Sequence, residues 1–149
     1  MTVSTDLLTE LAAFETEYWH EVDRNWGREA YTYYREDGAF VIGDKRMDGP
    51  KAVSDFYGWR QGRGARTARH LVSNFRLASA TGDRATLECV MCLYAADGVP
   101  VLDSKPAIMM ADVTSDCARD GNGQWRYVLH HLKPIFMGGV PPTIPRDNR

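Results

Sequence analysis

The second half of the chain constrains the fold most, because it contains four consecutive strand-like segments joined by short turn sequences. The segments "TARHLVSNFRLASA" and "RATLECVMCLYAA" are separated by "TGD", which is typical of a β-hairpin. "SKPAIMMADVTSDC" and "QWRYVLHHLKPIF" follow, with the turn-rich "ARDGNG" between them. Strands joined by such short connections pair antiparallel, so we predict a four-stranded meander.

The first half is mostly helical by pattern. In "DLLTELAAFETEYWHEVD" apolar residues recur every three or four positions, which predicts one long amphipathic helix. We expect a second, shorter helix over "WGREAYTYYRE", a short strand over "GAFVIG" and a third helix over "DGPKAVSDFYGWR", with Asp48 as its N-cap. The Gly- and Pro-rich tail "MGGVPPTIPRDNR" is expected to run as an extended arm.

Helices at one end of the sequence and antiparallel strands at the other indicate an α+β fold. We expect one curved, mostly antiparallel sheet that wraps around the N-terminal helices as a cone-shaped barrel and leaves a cavity for a small ligand. A length of 149 residues suits a single domain, 1–149, and no linker or repeat divides it.

Composition excludes several classes of partner. The net charge is −2, so bulk attraction to nucleic acid or to a membrane is not expected. No apolar run is long enough to cross a bilayer, and the N-terminus has no signal-like core. The expected location is therefore the cytoplasm. No Gly-rich nucleotide-binding motif and no nucleophile-elbow motif occurs, so no cofactor is expected.

The cysteines do not predict a metal or redox site. Cys89 and Cys92 form a C-x-x-C, but the spacing falls inside a predicted strand, where residues three apart point to opposite faces. Neither they nor Cys117 make a disulfide framework, so buried thiols are expected. His130 and His131 are adjacent on a strand and diverge, so they cannot hold one ion.

His70 is the residue most suited to chemistry. It opens a predicted strand and shares its face with Val72, Asn74 and Arg76, whereas the other face is more apolar. A polar strand face is typical of a cavity lining, and a histidine there can act as a general base. The alternative is a core histidine bonded to the backbone.

Asp23 follows the first helix in "HEVDRNWG", at the negative end of the helix dipole, where an unpaired carboxylate is unfavourable. It either caps the next helix or accepts a hydrogen bond from His70 across the cavity. A carboxylate on one imidazole nitrogen fixes the tautomer and leaves the other nitrogen free for a substrate.

Further substrate contacts are expected from polar, aromatic and methionine side chains of the predicted cavity wall. These are Tyr18, Asn74, Met91, Tyr94 and one of the two adjacent histidines, for which we choose His131. The four arginines of "RQGRGARTAR" form a basic cluster that could bind phosphate or lie in a solvated loop.

The residues "VDRNW" after the first helix, "RTARHLVSNFRL" at the start of the sheet and "LKP" near its end resemble the SnoaL-like branch of the cone-shaped α+β barrel superfamily. Scytalone dehydratases, polyketide cyclases and ketosteroid isomerases belong to this superfamily. The dehydratases, which the sequence resembles most, hydrogen-bond an Asp after the first helix to a strand His, positions that correspond to Asp23 and His70. Their two tyrosines correspond to Val22 and to Val41 or Ile42, and their second histidine falls near Ala95.

The resemblance implies a cofactor-independent and metal-free lyase of the scytalone dehydratase type. Its Asp–His dyad would perform acid/base elimination or isomerisation on a small cyclic hydroxy-ketone. The alternative is a non-catalytic ligand-binding or accessory subunit, as in ring-hydroxylating dioxygenases. Relatives also imply a homo-oligomer, either a trimer or a dimer.

Overall fold

Two α-helices and six strands make up the protein, as seen in a computed structural model that describes residues 2–138, with side chains from residue 6 onward. The helices are α1 (Thr2–Asn25) and α2 (Gly49–Gln61), and a 3₁₀ helix covers Ala30–Tyr33. The strands are β1 (Tyr34–Ile42), β2 (Lys45–Asp48), β3 (Arg66–Thr81), β4 (Arg84–Asp97), β5 (Met109–Arg119) and β6 (Trp125–Met137). The expected extended arm lies almost wholly outside the described residues.

All six strands form one sheet in the order β2-β1-β6-β5-β4-β3. Every neighbouring pair is antiparallel except β1 and β6, which run parallel. The predicted α+β class and the mostly antiparallel sheet are confirmed, as is the four-stranded meander, which is β3 to β6. None of the helices among residues 2–138 is long and apolar enough to cross a membrane.

Three local predictions in the first half are wrong. The second helix is only the 3₁₀ turn Ala30–Tyr33, because Tyr34 already enters β1, where aromatic side chains pack well. The segment before α2 is the short strand β2, which pairs with β1 and was not expected. Asp48 lies at the N-cap position of α2, but its carboxylate accepts from Arg46 Nε at 2.8 Å instead of capping the helix.

β-Bulges in β3 and β6 change which side chains face the interior. In β3, Asn74 and Phe75 together oppose the single residue Cys89, and Asn74 has a φ of 58°. A short amide side chain tolerates this left-handed conformation better than most residues. In β6, Val128 is the extra residue, since Tyr127 pairs with Cys117 and Leu129 with Asp116. Beyond each bulge the alternation of side chains is inverted.

The inner face of the sheet packs against α1 and α2. Helix α1 lies against β3 and β4, and α2 lies against β1 and β2. The apolar stripe of α1 buries Leu11 and Tyr18 completely, and the inner face of β4 buries Leu87 and Met91. A cavity remains between the two helices and the sheet.

Candidate active site

The cavity opens between the end of α1, the end of α2 and the start of β3. Space that the centre of a water molecule can reach amounts to about 90 Å³, enough for a small organic molecule rather than a single water. Most of its wall is apolar, including Trp19, Phe40, Phe56, Leu93, Met109 and Leu132. The polar groups on the wall include Asp23, Tyr57, Arg60, Arg66 and His70.

Asp23 and His70 meet at the cavity wall. Asp23 Oδ1 lies 2.6 Å from His70 Nδ1, and Asp23 Oδ2 accepts the backbone N–H of His70 at 2.8 Å. Because a carboxylate only accepts hydrogen bonds, Nδ1 of His70 is the donor, and in a neutral imidazole Nε2 then carries the lone pair. Within residues 2–138, Nε2 of His70 makes no hydrogen bond. The arrangement therefore holds one imidazole nitrogen and leaves the other available.

The end of α1 places Asp23 at this wall. Trp26 and Gly27 both have positive φ, 56° and 71°, and the backbone N–H of Gly27 donates to the carbonyl of Glu21. This left-handed ending stops the helix directly after the turn that carries Asp23. Asp23 therefore does not cap a following α-helix, which was the alternative considered from the sequence. The indole of Trp26 stands at the cavity wall and is half-exposed.

A second acid–histidine pair lies behind the cavity, in the core. Glu15 and His130 are both completely buried, and Glu15 Oε2 lies 2.7 Å from His130 Nε2. Glu15 also accepts from Trp19 Nε1 at 2.7 Å, Ser115 Oγ at 2.6 Å and Tyr127 OH at 2.9 Å. Burial alone would raise the pKa of Glu15, but His130 and the donated hydrogen bonds outweigh it and hold this pKa below its ordinary value.

Three tyrosine hydroxyls connect this buried pair to the cavity. His130 Nδ1 lies 2.8 Å from the hydroxyl of Tyr34, which donates to Tyr18 at 3.0 Å. The hydroxyls of Tyr18 and Tyr57 are 2.6 Å apart, and Tyr57 lines the cavity. Burial raises the pKa of all three tyrosines well above the ordinary value, so each hydroxyl stays protonated. The chain of hydrogen bonds thus ends in a neutral hydroxyl at the cavity.

The structure distributes the other predicted contact residues in two groups. Tyr18 and Met91 are completely buried in the core and do not line the cavity, although Tyr18 is one hydrogen bond away from it through Tyr57. Asn74, Tyr94 and His131 lie on the outer face of the sheet. The expectation that these three side chains face the ligand is therefore wrong.

Each of these errors has a local physical reason. The β3 bulge turns Asn74 outward although it lies four residues from His70. The β6 bulge at Val128 inverts the alternation that begins with the buried Trp125 and Tyr127, so His130 points inward and His131 outward. Tyr94 follows the regular alternation of β4, in which even-numbered residues face away from the core, and it is 46% exposed.

Sequence reasoning did not single out Glu15, Tyr57, Arg60 or Arg66 as parts of the site. One signal was present for Glu15, which lies four residues after Leu11 and four before Trp19, on the buried side of α1. An acidic residue on an apolar helix face indicates a buried partner. Tyr57, Arg60 and Arg66 reach the cavity because of how α2 packs on β1. The local sequence pattern carries no information about this packing.

Metal-binding side chains do not cluster in the described part of the chain. No three His, Cys, Asp or Glu residues between positions 2 and 138 are placed to hold one ion. Cys89 is buried on the inner face of β4 and Cys92 lies on the opposite face, as their spacing predicted. Burial raises the pKa of the Cys89 and Cys117 thiols, so both remain protonated.

No protein-family model matches the sequence, and no curated protein matches it either. Solved structures match the fold over most of its length. A candidate scytalone dehydratase from Novosphingobium aromaticivorans is 16% identical, with a TM-score of 0.79 over 100% of this chain and 99% of that chain. The beta subunit of a candidate aromatic-ring-hydroxylating dioxygenase from the same organism is 12% identical, with a TM-score of 0.77 over 91% and 94% of the two chains.

A third structure is a Catenulispora acidiphila protein in complex with S-DNPA. It is 13% identical, with a TM-score of 0.76 over 87% of this chain and 94% of that chain. At such identities the likeness establishes the fold, and it confirms the predicted cone-shaped α+β architecture and the structural resemblance to scytalone dehydratase-like proteins. What these proteins bind or catalyse is a property of those proteins.

Proposed function

We propose that this chain is a cofactor-independent lyase or isomerase that acts on a small cyclic hydroxy-ketone. The observation that carries the proposal is the Asp23–His70 pair beside an apolar cavity, in which Nε2 of His70 has no hydrogen-bond partner among residues 2–138. A neutral imidazole suits a proton abstraction near neutral pH, because its ordinary pKa is close to the working pH.

In the proposed reaction, Nε2 of His70 removes the proton from the carbon next to the ketone carbonyl. The electron pair of that C–H bond moves toward the carbonyl and gives an enolate. When the enolate collapses, the C–O bond at the β carbon breaks, and the imidazolium returns the proton to the departing hydroxide. The products are an enone and water, and His70 is regenerated neutral. Asp23 holds the ring in position and stabilises the imidazolium that forms.

Tyr57 is the best-placed donor for the carbonyl oxygen. Tyr57 is a residue of the cavity wall, and its hydroxyl stays protonated because burial and then the neighbouring Tyr18 hydroxyl raise its pKa well above the ordinary value. A neutral hydroxyl in an apolar wall stabilises negative charge on an enolate oxygen more strongly than the same group would in water. Tyr57 thus complements the base His70.

The alternative function is that of a non-catalytic accessory subunit. It is supported by the similarity in fold to the dioxygenase beta subunit. The open cavity with a base on its wall favours the enzyme, since a purely structural subunit has no need to keep Nε2 of His70 unpaired in an apolar space.

The test is a screen of small cyclic β-hydroxy-ketones, followed by absorbance of the conjugated enone product. An active compound should lose about 10²- to 10⁴-fold in turnover with His70→Ala, the range for removal of a general base. His131→Ala, on the outer face of the same sheet, is the matched control and should keep the parent rate. Turnover by His70→Ala at the parent rate would refute the assignment.

A further inference from the structure

The basic cluster of the sequence lies at the cavity, although the proposed reaction gives it no role. Arg60 lies in the last turn of α2 and Arg66 begins β3, and both line the cavity together with His70. Arg63, between them, is exposed, and its guanidinium lies over the ring of Trp59, 5.2 Å from the ring centroid. The first two arginines therefore belong to the cavity wall and the third does not.

One hydrogen-bond donor of Arg60 has no acceptor among the described residues. Its side chain is only 15% exposed, and its Nε–H is buried without a hydrogen-bond partner among the described residues. Its one ion pair is with Asp97, at 3.5 Å from Nη2 to Oδ1, and Asp97 is mostly exposed to solvent. A buried donor of a charged group is costly to leave unpaired, which indicates that a further acceptor belongs at this position.

Arg66 adds a second positive charge with no direct partner. Its side chain makes no hydrogen bond and no ion pair within 4 Å in the part of the chain that the structure describes, although the charge of Asp97 on the neighbouring strand acts on it. Burial, and then the neighbouring charge of Arg60, lower the pKa of Arg66 to about 10, so it remains charged at neutral pH. The acidic residue that lines the cavity, Asp23, already uses both oxygens on His70.

We propose that Arg60 and Arg66 form a carboxylate-binding subsite, and that the ligand of this cavity is a small cyclic compound with a carboxylate substituent. Guanidinium groups match the planar, two-oxygen geometry of a carboxylate. The apolar walls would cover the ring, while the two arginines hold the carboxylate at the cavity mouth. This placement fixes which edge of the ring faces His70. The inference deepens the proposed function, since it takes the same cavity as the substrate site, but ligand binding tests it without catalysis.

The experiment measures binding to the full chain of two neutral–anionic pairs, benzoate with benzamide and 2-naphthoate with 2-naphthamide, by isothermal titration calorimetry. At least one carboxylate should bind at least tenfold more tightly than its amide. Arg60→Gln and Arg66→Gln should each weaken carboxylate binding by about 10- to 100-fold, as expected for a charge-assisted hydrogen bond, and should leave amide binding unchanged. Arg63→Gln is the matched control and should bind like the parent protein.

His70→Gln separates the two proposals. It should abolish turnover of any active compound while keeping the preference for the carboxylate, so a failure of the catalytic proposal leaves the subsite intact. The subsite is overturned if no carboxylate binds at millimolar concentration, if carboxylates bind no better than amides, or if Arg63→Gln weakens binding as much as the two cavity variants. Displacement of 2-naphthoate by equimolar inorganic phosphate would also overturn it, since the site would then select charge rather than a ring acid.

Discussion

The indole of Trp19 lies parallel to the imidazole of His70, with 4.4 Å between the ring centroids and 17° between the planes. The same indole donates its N–H to Glu15 at 2.7 Å. Trp19 thus contacts both acid–histidine pairs, the one at the cavity wall and the one in the core. The position of His70 depends on Asp23 at one edge and on Trp19 at one face.

Trp19→Phe should keep an aromatic face against His70 but remove one of the donors to Glu15. We expect a loss of about 1–3 kcal/mol in the free energy of unfolding, the range for a hydrogen bond to a charged group. Urea unfolding measures it. Trp59→Phe is the control, because the indole N–H of Trp59 makes no hydrogen bond within residues 2–138. Equal stabilities of the two variants would contradict this role for Trp19.

Asp23→Asn should disturb both hydrogen bonds that hold His70. An amide offers one oxygen and one NH₂ group, so it cannot accept from the ring Nδ1–H and the backbone N–H with two separate oxygens. We expect turnover of an active hydroxy-ketone to fall by at least tenfold, with a changed pH–rate profile, because the imidazole loses its fixed tautomer. Asp112→Asn, on the exposed side of β5, should leave both quantities unchanged.

Tyr57→Phe tests the hydroxyl at the end of the tyrosine chain. Removing a donor to a developing oxyanion typically lowers the catalytic rate constant by about 10²–10³-fold, and we expect a loss in that range with little change in KM. The fold should survive, since Tyr18 keeps its hydrogen bond from Tyr34. Tyr94→Phe, on the outer face of β4, is the matched control. A wild-type rate in Tyr57→Phe would exclude Tyr57 as the carbonyl donor.

Glu15→Gln should be the most destabilising of these changes. The four buried donors around Glu15 would all lose their bonds to a charged acceptor, and a hydrogen bond to a charged group contributes about 1.5–3 kcal/mol. Thermal or urea unfolding measures the loss. Glu17→Gln, two residues along α1 and exposed, should stay within about 0.5 kcal/mol of the parent protein.

The buried Glu15 also predicts how stability depends on pH. Its pKa in the folded protein lies below the ordinary value of 4.5, so the native state favours the ionised form. The corresponding stabilisation is fully present above pH ~4.5 and is lost as the pH falls through the folded-state pKa. We expect the urea midpoint to decrease on acidification below that pH, and the decrease to be smaller in Glu15→Gln. If the urea midpoint decreased equally steeply below pH ~4.5 in both proteins, this assignment would be contradicted.

Periodicity predicted the elements that span many residues, namely the long helix α1 and the meander β3 to β6. It failed between residues 26 and 48, where the segments are short. There the aromatic run around Tyr34 is compatible with helix or strand, and pairing with β6 decides for the strand. Local pattern does not contain that partner, because β6 lies at the other end of the described chain.

In the candidate site too, features with a local cause were predicted from the sequence, and features that depend on strand register were not. Residue type and position singled out Asp23 and His70 as groups in need of a partner, and the resemblance to the dehydratases favoured their pairing. The sequence did not distinguish His130 from His131, and the choice of His131 is wrong because a single extra residue, Val128, inverts the alternation of β6. Asn74 failed for the same reason in β3, and a bulge of one residue leaves no clear mark in the amino-acid pattern.

The contact of Glu15 in α1 with His130 in β6 has a consequence for how the chain folds. Asp23 and His70 are 47 positions apart, whereas Glu15 and His130 are 115 apart. Long-range contacts of the second kind close large loops and slow folding. During synthesis, α1 would already have emerged while its buried carboxylate still lacked most of its partners, all of which lie after position 114 except Trp19. The Asp23–His70 pair can thus assemble early, but the core that supports it waits for the last strand.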